Sequence, residues 1–212
     1  MLPVELQGEQ LILLPQKAVY WPAQKTLLLA DLHWGKSGHF RKHGIAIPGN
    51  TQTQDEIRLA KLVATHKAQR LIIAGDLFHS RQNAETDLFA HWRKSHSTLH
   101  IDFITGNHDI LPETFYHENT LTIHPEGLRT GPFFIAHNVP DPCSTFCIHG
   151  HIHPAIRISG KGRTSIKLDC FCIDQTRMIL PAFGDFTGNH LIEPAADRNI
   201  YIIAGDKVMI WQ

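Results

Sequence analysis

Five short apolar runs in this chain each end on a residue able to hold a cation. They are TLLLA before Asp31, RLIIA before Gly75-Asp76, IDFIT before Gly106-Asn107, PFFIA before His137 and TFCI before His149. Such runs show no polar alternation, so they read as strands buried on both faces, as in a largely parallel sheet covered by helices. In open α/β sheets, ligands bind at the carboxyl ends of the strands. Within RLIIAGDLFHS (70–80), Gly75 lets the chain turn sharply where the strand ends and leaves the Asp76 carboxylate at the sheet edge. Asp76 is therefore read as a carboxylate shared by two metal ions, with the other strand ends delivering the remaining ligands.

Along an extended chain, residues i and i+2 point the same way. Asp31 and His33 can thus grip one ion together, and so can His151 and His153 in HGHIHP. His149 keeps that parity but lies back inside its strand, which suits a supporting role better than ligation. Asn107 offers a neutral carbonyl oxygen, and His108 stands beside it with Asp109 available to orient the imidazole. His137 closes its own apolar run. The loop GKSGHFRKHGIAIPGN leaves directly from the expected site, and its Lys36, Arg41 and Lys42 suit substrate phosphates.

Residues 55–67 read as a helix with Leu59, Leu62, Val63 and His66 along one face, the crossover between two parallel strands. Residues 85–96 read as a second helix with Leu88 and Trp92 packed inward. Short strands are expected at 4–6, 11–14 and 18–21, and the chain beyond residue 156 is β-rich. There the expected strands are 165–168, 170–173 and 178–180, followed by a hairpin over Gly205-Asp206.

A chain of 212 residues, 42% hydrophobic, is enough for one domain over 1–212. Its formal net charge is zero, so no overall field draws in nucleic acid and any such binding must come from a local patch. Histidine is the anomaly, with 16 copies. The four cysteines, Cys143, Cys147, Cys170 and Cys172, match zinc spacing poorly and read as reduced, half-buried thiols. No basic leader or long apolar stretch opens the chain, so a soluble cytoplasmic protein with no membrane partner is expected.

Taken in order, D-x-H, GD, GNHD, a solitary His and GH-x-H resemble the five motifs of the calcineurin-like metallophosphoesterase superfamily. The resemblance implies an α/β fold, a double β-sandwich flanked by helices in four layers (α/β/β/α), with a dimetal centre at one edge. It implies that Asp31, His33, Asp76 and His153 hold one divalent ion and that Asp76, Asn107, His137 and His151 hold the other. His108 matches the catalytic histidine, with Asp109 tuning it. Two divalent ions, two carboxylates and a bridging hydroxide leave a net positive charge, which favours an anionic phosphodiester attacked by that hydroxide. The imidazole-rich set suits manganese first, with iron, zinc or nickel as alternatives.

The segments WPAQKTLLLADLHWGK, FRKHGIAIPGNT, RLIIAGDLFHS and KLDCFCIDQTRMILPAFGDFTG further resemble the ligase-associated DNA damage response endonuclease family. That resemblance implies a DNA endonuclease in repair, associated with an ATP-dependent DNA ligase and other repair proteins. The chain departs from the pattern at AHNVP, where a glutamate is expected after His137, and at GDFTGN. GDLFHS is also similar to other repair nucleases, which makes His79 an edge-of-site candidate beside Lys36 and Arg41. The alternative is a phosphodiesterase or pyrophosphatase for a small nucleotide-type substrate. An inactive scaffold is disfavoured by the complete ligand set.

Overall fold

The apolar runs become the inner strands of two stacked sheets. The computed structural model describes residues 1–34, 51–78, 84–139, 143–160, 164–185 and 187–211. Strands β1 (Leu2–Leu6), β2 (Glu9–Leu14), β3 (Ala18–Trp21) and β4 (Thr26–Leu29) form an antiparallel meander. From β4 the pairing turns parallel, to β5 (Arg70–Ala74), β6 (His100–Ile104) and β7 (Leu121–His124). Three helices accompany this sheet: α1 (Thr51–His66), α2 (Ala84–Ser95) and α3 (Glu113–Glu118).

The second sheet holds β8 (Leu128–Thr130), β9 (Phe133–Ala136), β10 (Phe146–His149), β11 (Pro154–Ser159), β12 (Ser165–Asp174), β13 (Arg177–Ile179), β14 (His190–Leu191), β15 (Arg198–Ala204) and β16 (Lys207–Ile210). Its order is β14-β11-β12-β13-β10-β9-β8, with β15 paired to β12 and β16 to β15.

Strand alternation divides the core. Leu27, Leu29, Leu71 and Ile73 pack with Leu59, Leu62, Phe89, Trp92 and Phe115 under the helices. Leu28, Ile72 and Ala74, on the other pleat face, pack with Phe133, Ile135, Ile148, Phe171 and Ile173 of the second sheet. Burying each of the larger side chains contributes roughly 1.5–3 kcal/mol, and both faces of β4 and β5 do so at once. The expected double β-sandwich is therefore present. Among the described residues, the three α-helices cover the first sheet, and the outer face of the second carries only the small cluster of Ile156, Cys170, Ile200 and Ile202.

Several local expectations are corrected. In α2, Trp92 is buried but Leu88 is 46% exposed. Phe89 takes the inward place because it sits edge-on to Trp34 (5.3 Å) and Phe78 (5.1 Å). The expected strands 165–168 and 170–173 are one, because Asp169 between them meets Lys17 at 2.8 Å and needs no turn to reach a partner. Cys143 and Cys147 form a disulfide, which overturns the reduced reading for that pair, whereas Cys170 and Cys172 are free and buried. No described helix is long and apolar enough to cross a membrane.

Candidate metal centre

The ladder between β4 and β5 continues past both strands. The backbone N–H groups of Asp31, His33 and Trp34 donate to the carbonyls of Gly75, Asp76 and Leu77 at 3.1, 2.9 and 2.7 Å. Asp31 (φ 55°), His33 (φ 46°) and Asp76 (φ 47°) are left-handed, as are His151 (φ 70°) and His153 (φ 52°) across the cleft. This conformation costs L-residues roughly 1–2 kcal/mol each and persists where the surroundings impose it. The two histidine-bearing pairs converge through these turns, with Leu32 buried between Asp31 and His33. The pleat of an extended strand, invoked from sequence, is not the cause.

Two groups of donor atoms result. Asp31, His33 and His153 form one, and Asp31, Asp76 and His137 the other. His153 Nε2 lies 3.4 Å from Asp31 Oδ1, and His33 Nε2 lies 3.7 Å from Asp76 Oδ2. On the other side, Asp76 Oδ1 stands 3.6 Å from His137 Nε2, which also meets Asn107 Oδ1 at 2.9 Å and His151 Nδ1 at 3.1 Å. Asp76 thus turns one oxygen toward each group, while Asp31 belongs to both. The structure brings together all seven residues expected as ligands.

Glycines make this convergence possible. A Cβ on Gly75, itself at φ 85°, would lie 2.1 Å from His137 Nδ1. One on Gly106 would lie 2.2 Å from Asp76 Oδ1, and one on Gly150 would lie 2.5 Å from Asp31 Oδ2. The carboxylates are held by amides: His108 N–H donates to Asp76 Oδ1 at 3.0 Å, and His151 N–H to Asp31 Oδ2 at 2.9 Å.

The imidazoles are oriented by backbone carbonyls. His137 Nδ1 faces Ala74 O at 3.3 Å, and His153 Nδ1 faces Gly188 O at 2.9 Å. Donation from Nδ1 leaves the Nε2 lone pair of each ring for a cation. Burial, with the neighbouring His137 charge, holds His151 below the ordinary imidazole range, so it too offers a lone pair. His149 is different. Burial lowers it to about 4, its Nδ1 is engaged by Gly150 O at 2.9 Å, and it belongs to neither donor group.

His108 stands at the rim, its ring centroid 5.5 Å from that of His33. Asp109 accepts the N–H of Phe78 and of Gly106, both at 2.8 Å, and so clamps the two ligand-bearing loops together. Burial pushes its carboxyl up to about 7 despite these bonds.

These residues fit divalent metal ions. Asp31 Oδ1 is buried with no hydrogen-bond partner, and three imidazole nitrogens and a second carboxylate converge around it, a donor set for a borderline cation. No family model and no curated protein matches the chain. Among solved structures, a nuclease of Pseudomonas putida named MPE is 34% identical, with a TM-score of 0.84, over 99% of this chain and 98% of its own. The chain belongs to the same metallophosphoesterase family. It is a metal-dependent phosphoesterase, a hydrolase. A phosphoesterase of Escherichia coli, YfcE, is a distant likeness at 16% identity and a TM-score of 0.44, over 85% of this chain and 88% of its own.

In this metallophosphoesterase, Lys36, Arg41 and His79 lie outside the described residues. One contribution was not anticipated from sequence. The amides of Phe183 and Gly184 donate to Ala30 O (2.8 Å) and Asp31 O (3.1 Å), so the LPAFG segment braces the first ligand from behind. Arg58 of α1 pins that segment by its bond to Asp185 at 2.8 Å and by stacking 4.4 Å above the Phe183 ring. Among the described residues, two openings lie beside the metal centre. One is a groove of about 400 Å³ along His151, His153, Asn189 and His190. The other is a cavity of about 300 Å³ beside Asn107, Glu126, His137 and Asn138.

Proposed function

We propose that this phosphoesterase holds two divalent ions, manganese first, and cleaves DNA internally as a phosphodiesterase acting in repair. The observation that carries the reading is the pair of donor groups that meet at Asp31, with Asp76 turning its second oxygen toward His33, in a chain that aligns from end to end with a nuclease. Asp31, His33, Asp76 and His153 would hold one ion, and Asp76, Asn107, His137 and His151 the other. Ions bound there supply a nucleophile at neutral pH and offset phosphate charge.

The chain's own residues do the rest. Ala74 O and Gly188 O fix the imidazoles, the His108 and His151 amides fix the carboxylates, and the His108 imidazole would protonate the leaving alkoxide. Lys36, Arg41 and His79 are the proposed substrate contacts. A small nucleotide-type substrate is best held in an enclosed pocket; the groove along His151, His153 and His190 is open, which favours a polymer. The resemblance to ligase-associated endonucleases supports a cytoplasmic repair setting beside an ATP-dependent DNA ligase.

The test is hydrolysis with Mn²⁺ of a chromogenic phosphodiester and of single- and double-stranded DNA, with Asp76→Asn as the control for contaminating nuclease. Cleavage of DNA that disappears in the control supports the proposal. Turnover of the small ester with intact DNA overturns the nuclease reading and leaves the phosphodiesterase.

A further inference from the structure

Strands β11 and β12 form an antiparallel ribbon that leaves straight from the metal centre. His153 immediately precedes β11, and its carbonyl accepts the N–H of His190 at 3.0 Å. Alternation gives the ribbon an inner and an outer face. Ile156, Leu168 and Cys170 pack with Ile200 and Ile202 on the outer face of the second sheet. Arg157 and Lys167 lie on the opposite pleat face, the one that carries Asp169 and Phe171, and stand directly opposite one another in the register.

Like charges opposed across an antiparallel pair are destabilising. Both side chains are exposed, and neither has an ion-pair partner among the described residues. The acidic residue next to Lys167 on the same face, Asp169, is already paired with Lys17 at 2.8 Å and accepts from the Asn189 amide at 2.5 Å. Asn189 also lines the groove with His151, His153 and His190. The groove and the basic face of the ribbon are therefore continuous.

We infer that Arg157 and Lys167 bind the phosphate backbone of nucleic acid beside the scissile phosphate. The inference rests on the nuclease reading above and names a surface that reading did not use. Arg157 lies three residues along β11 from Pro154, about 10 Å at roughly 3.3 Å per residue. A nucleic acid strand rises about 3.4 Å per nucleotide, so the contacts fall about three nucleotides from the cleaved bond. An acidic protein would need no continuity with the metal centre, whereas a strand threaded through the groove does. The pair also supplies a local basic patch on a chain with no net charge.

The experiment compares the full-length protein with the Arg157→Glu/Lys167→Glu variant in Mn²⁺, on a single-stranded oligonucleotide and on a chromogenic phosphodiester. We expect kcat/KM on the oligonucleotide to fall at least tenfold while turnover of the small ester stays within twofold. The slope of log kcat/KM against log salt should flatten by about 1.4, two contacts at about 0.7 each for a single strand. Arg157→Lys/Lys167→Arg should restore both. Unchanged oligonucleotide kinetics and salt slope in the double-glutamate variant, with the wild type active, overturn the inference and leave the ribbon to a protein or to solvent. A wild type that hydrolyses the ester but no nucleic acid overturns the nuclease reading and this inference with it. If the glutamate variant loses ester turnover through misfolding, Arg157→Gln/Lys167→Gln decides by the same criteria.

Discussion

His151 donates its backbone N–H to Asp31 Oδ2 at 2.9 Å, joining the two sheets across 120 residues of sequence. The bond forms because Gly150 lets the chain approach so closely that a Cβ there would meet Asp31 Oδ2 at 2.5 Å and the Ala30 Cβ at 2.6 Å. Gly150→Ala should therefore separate the sheets at the metal centre. Overpacking of this kind costs about 1–3 kcal/mol, or on the order of 3–10 °C in Tm for a chain of this size. Calorimetry together with metal stoichiometry checks it, and an unshifted Tm with full metal content would contradict the packing described.

Asp76 faces His33 with one oxygen and His137 with the other. Asp76→Asn removes a charge shared by both groups, so we expect metal content to fall at both positions and activity to be abolished. Elemental analysis after gel filtration measures the first, and a variant retaining full activity would remove Asp76 from the centre.

His108 touches the centre through its backbone N–H, and its ring lies at the rim. His108→Ala should lower turnover by about 10²–10⁴ while metal content stays normal. Loss of metal in that variant would move the imidazole into the ligand shell.

Metal removal should be visible in stability as well as activity. Asp31 is fully buried, with Oδ1 lacking a hydrogen-bond partner, so the metal-free centre is unfavourable. At 100-fold excess over Kd, a bound ion stabilises by about 2.7 kcal/mol, or roughly 5–10 °C. Thermal melts with chelator and with added Mn²⁺ should differ by that amount, and identical melts would argue against a metal in this position.

Another buried carboxylate, Asp102, is held by an arginine and two histidines. Arg70 Nε and His124 Nε2 reach it at 2.6 Å each, and His100 Nε2 at 3.2 Å. Burial pushes its pKa up, but the hydrogen bonds from Arg70 and His124 and the charges of Arg70 and His100 outweigh burial and hold it below the usual carboxylate range. A depressed folded-state pKa contributes stability that is complete above the unfolded value of about 3.9 and is lost as pH falls through the folded one. Asp102→Asn should cost about 2–3 kcal/mol at pH 7, less than a fully buried pair because Arg70 is partly exposed. The difference from wild type should shrink below about pH 4, as denaturant titrations across pH will test.

Much of the centre was legible without coordinates. Asp31, Asp76, His137 and the His151/His153 pair each follow a short apolar run whose length and branched residues favour a strand. Leu88 was misplaced because helical spacing defines a stripe without its centre; the aromatic neighbours Trp34 and Phe78 rotate α2 toward Phe89. The helix α3 and strand β7 were missed because Glu113–Glu118 and Leu121–His124 are too short to show a period. The role of Asp109 shifted as well. Beside His108 in sequence it reads as an orienting acid, but both its oxygens are taken by amides of the two loops it clamps.

The sequence by itself determined which strand ends bear the candidate ligands and the order in which they come, because hydrophobic runs and the residues that end them are local properties. Only the tertiary structure decided how those ligands meet. The left-handed turns at Asp31, His33, Asp76, His151 and His153, and the close approach of Gly75, Gly106 and Gly150 to their neighbours, exist because two sheets pack face to face. Such strain is tolerated only where a surrounding core holds it, and no local stretch of sequence contains that core.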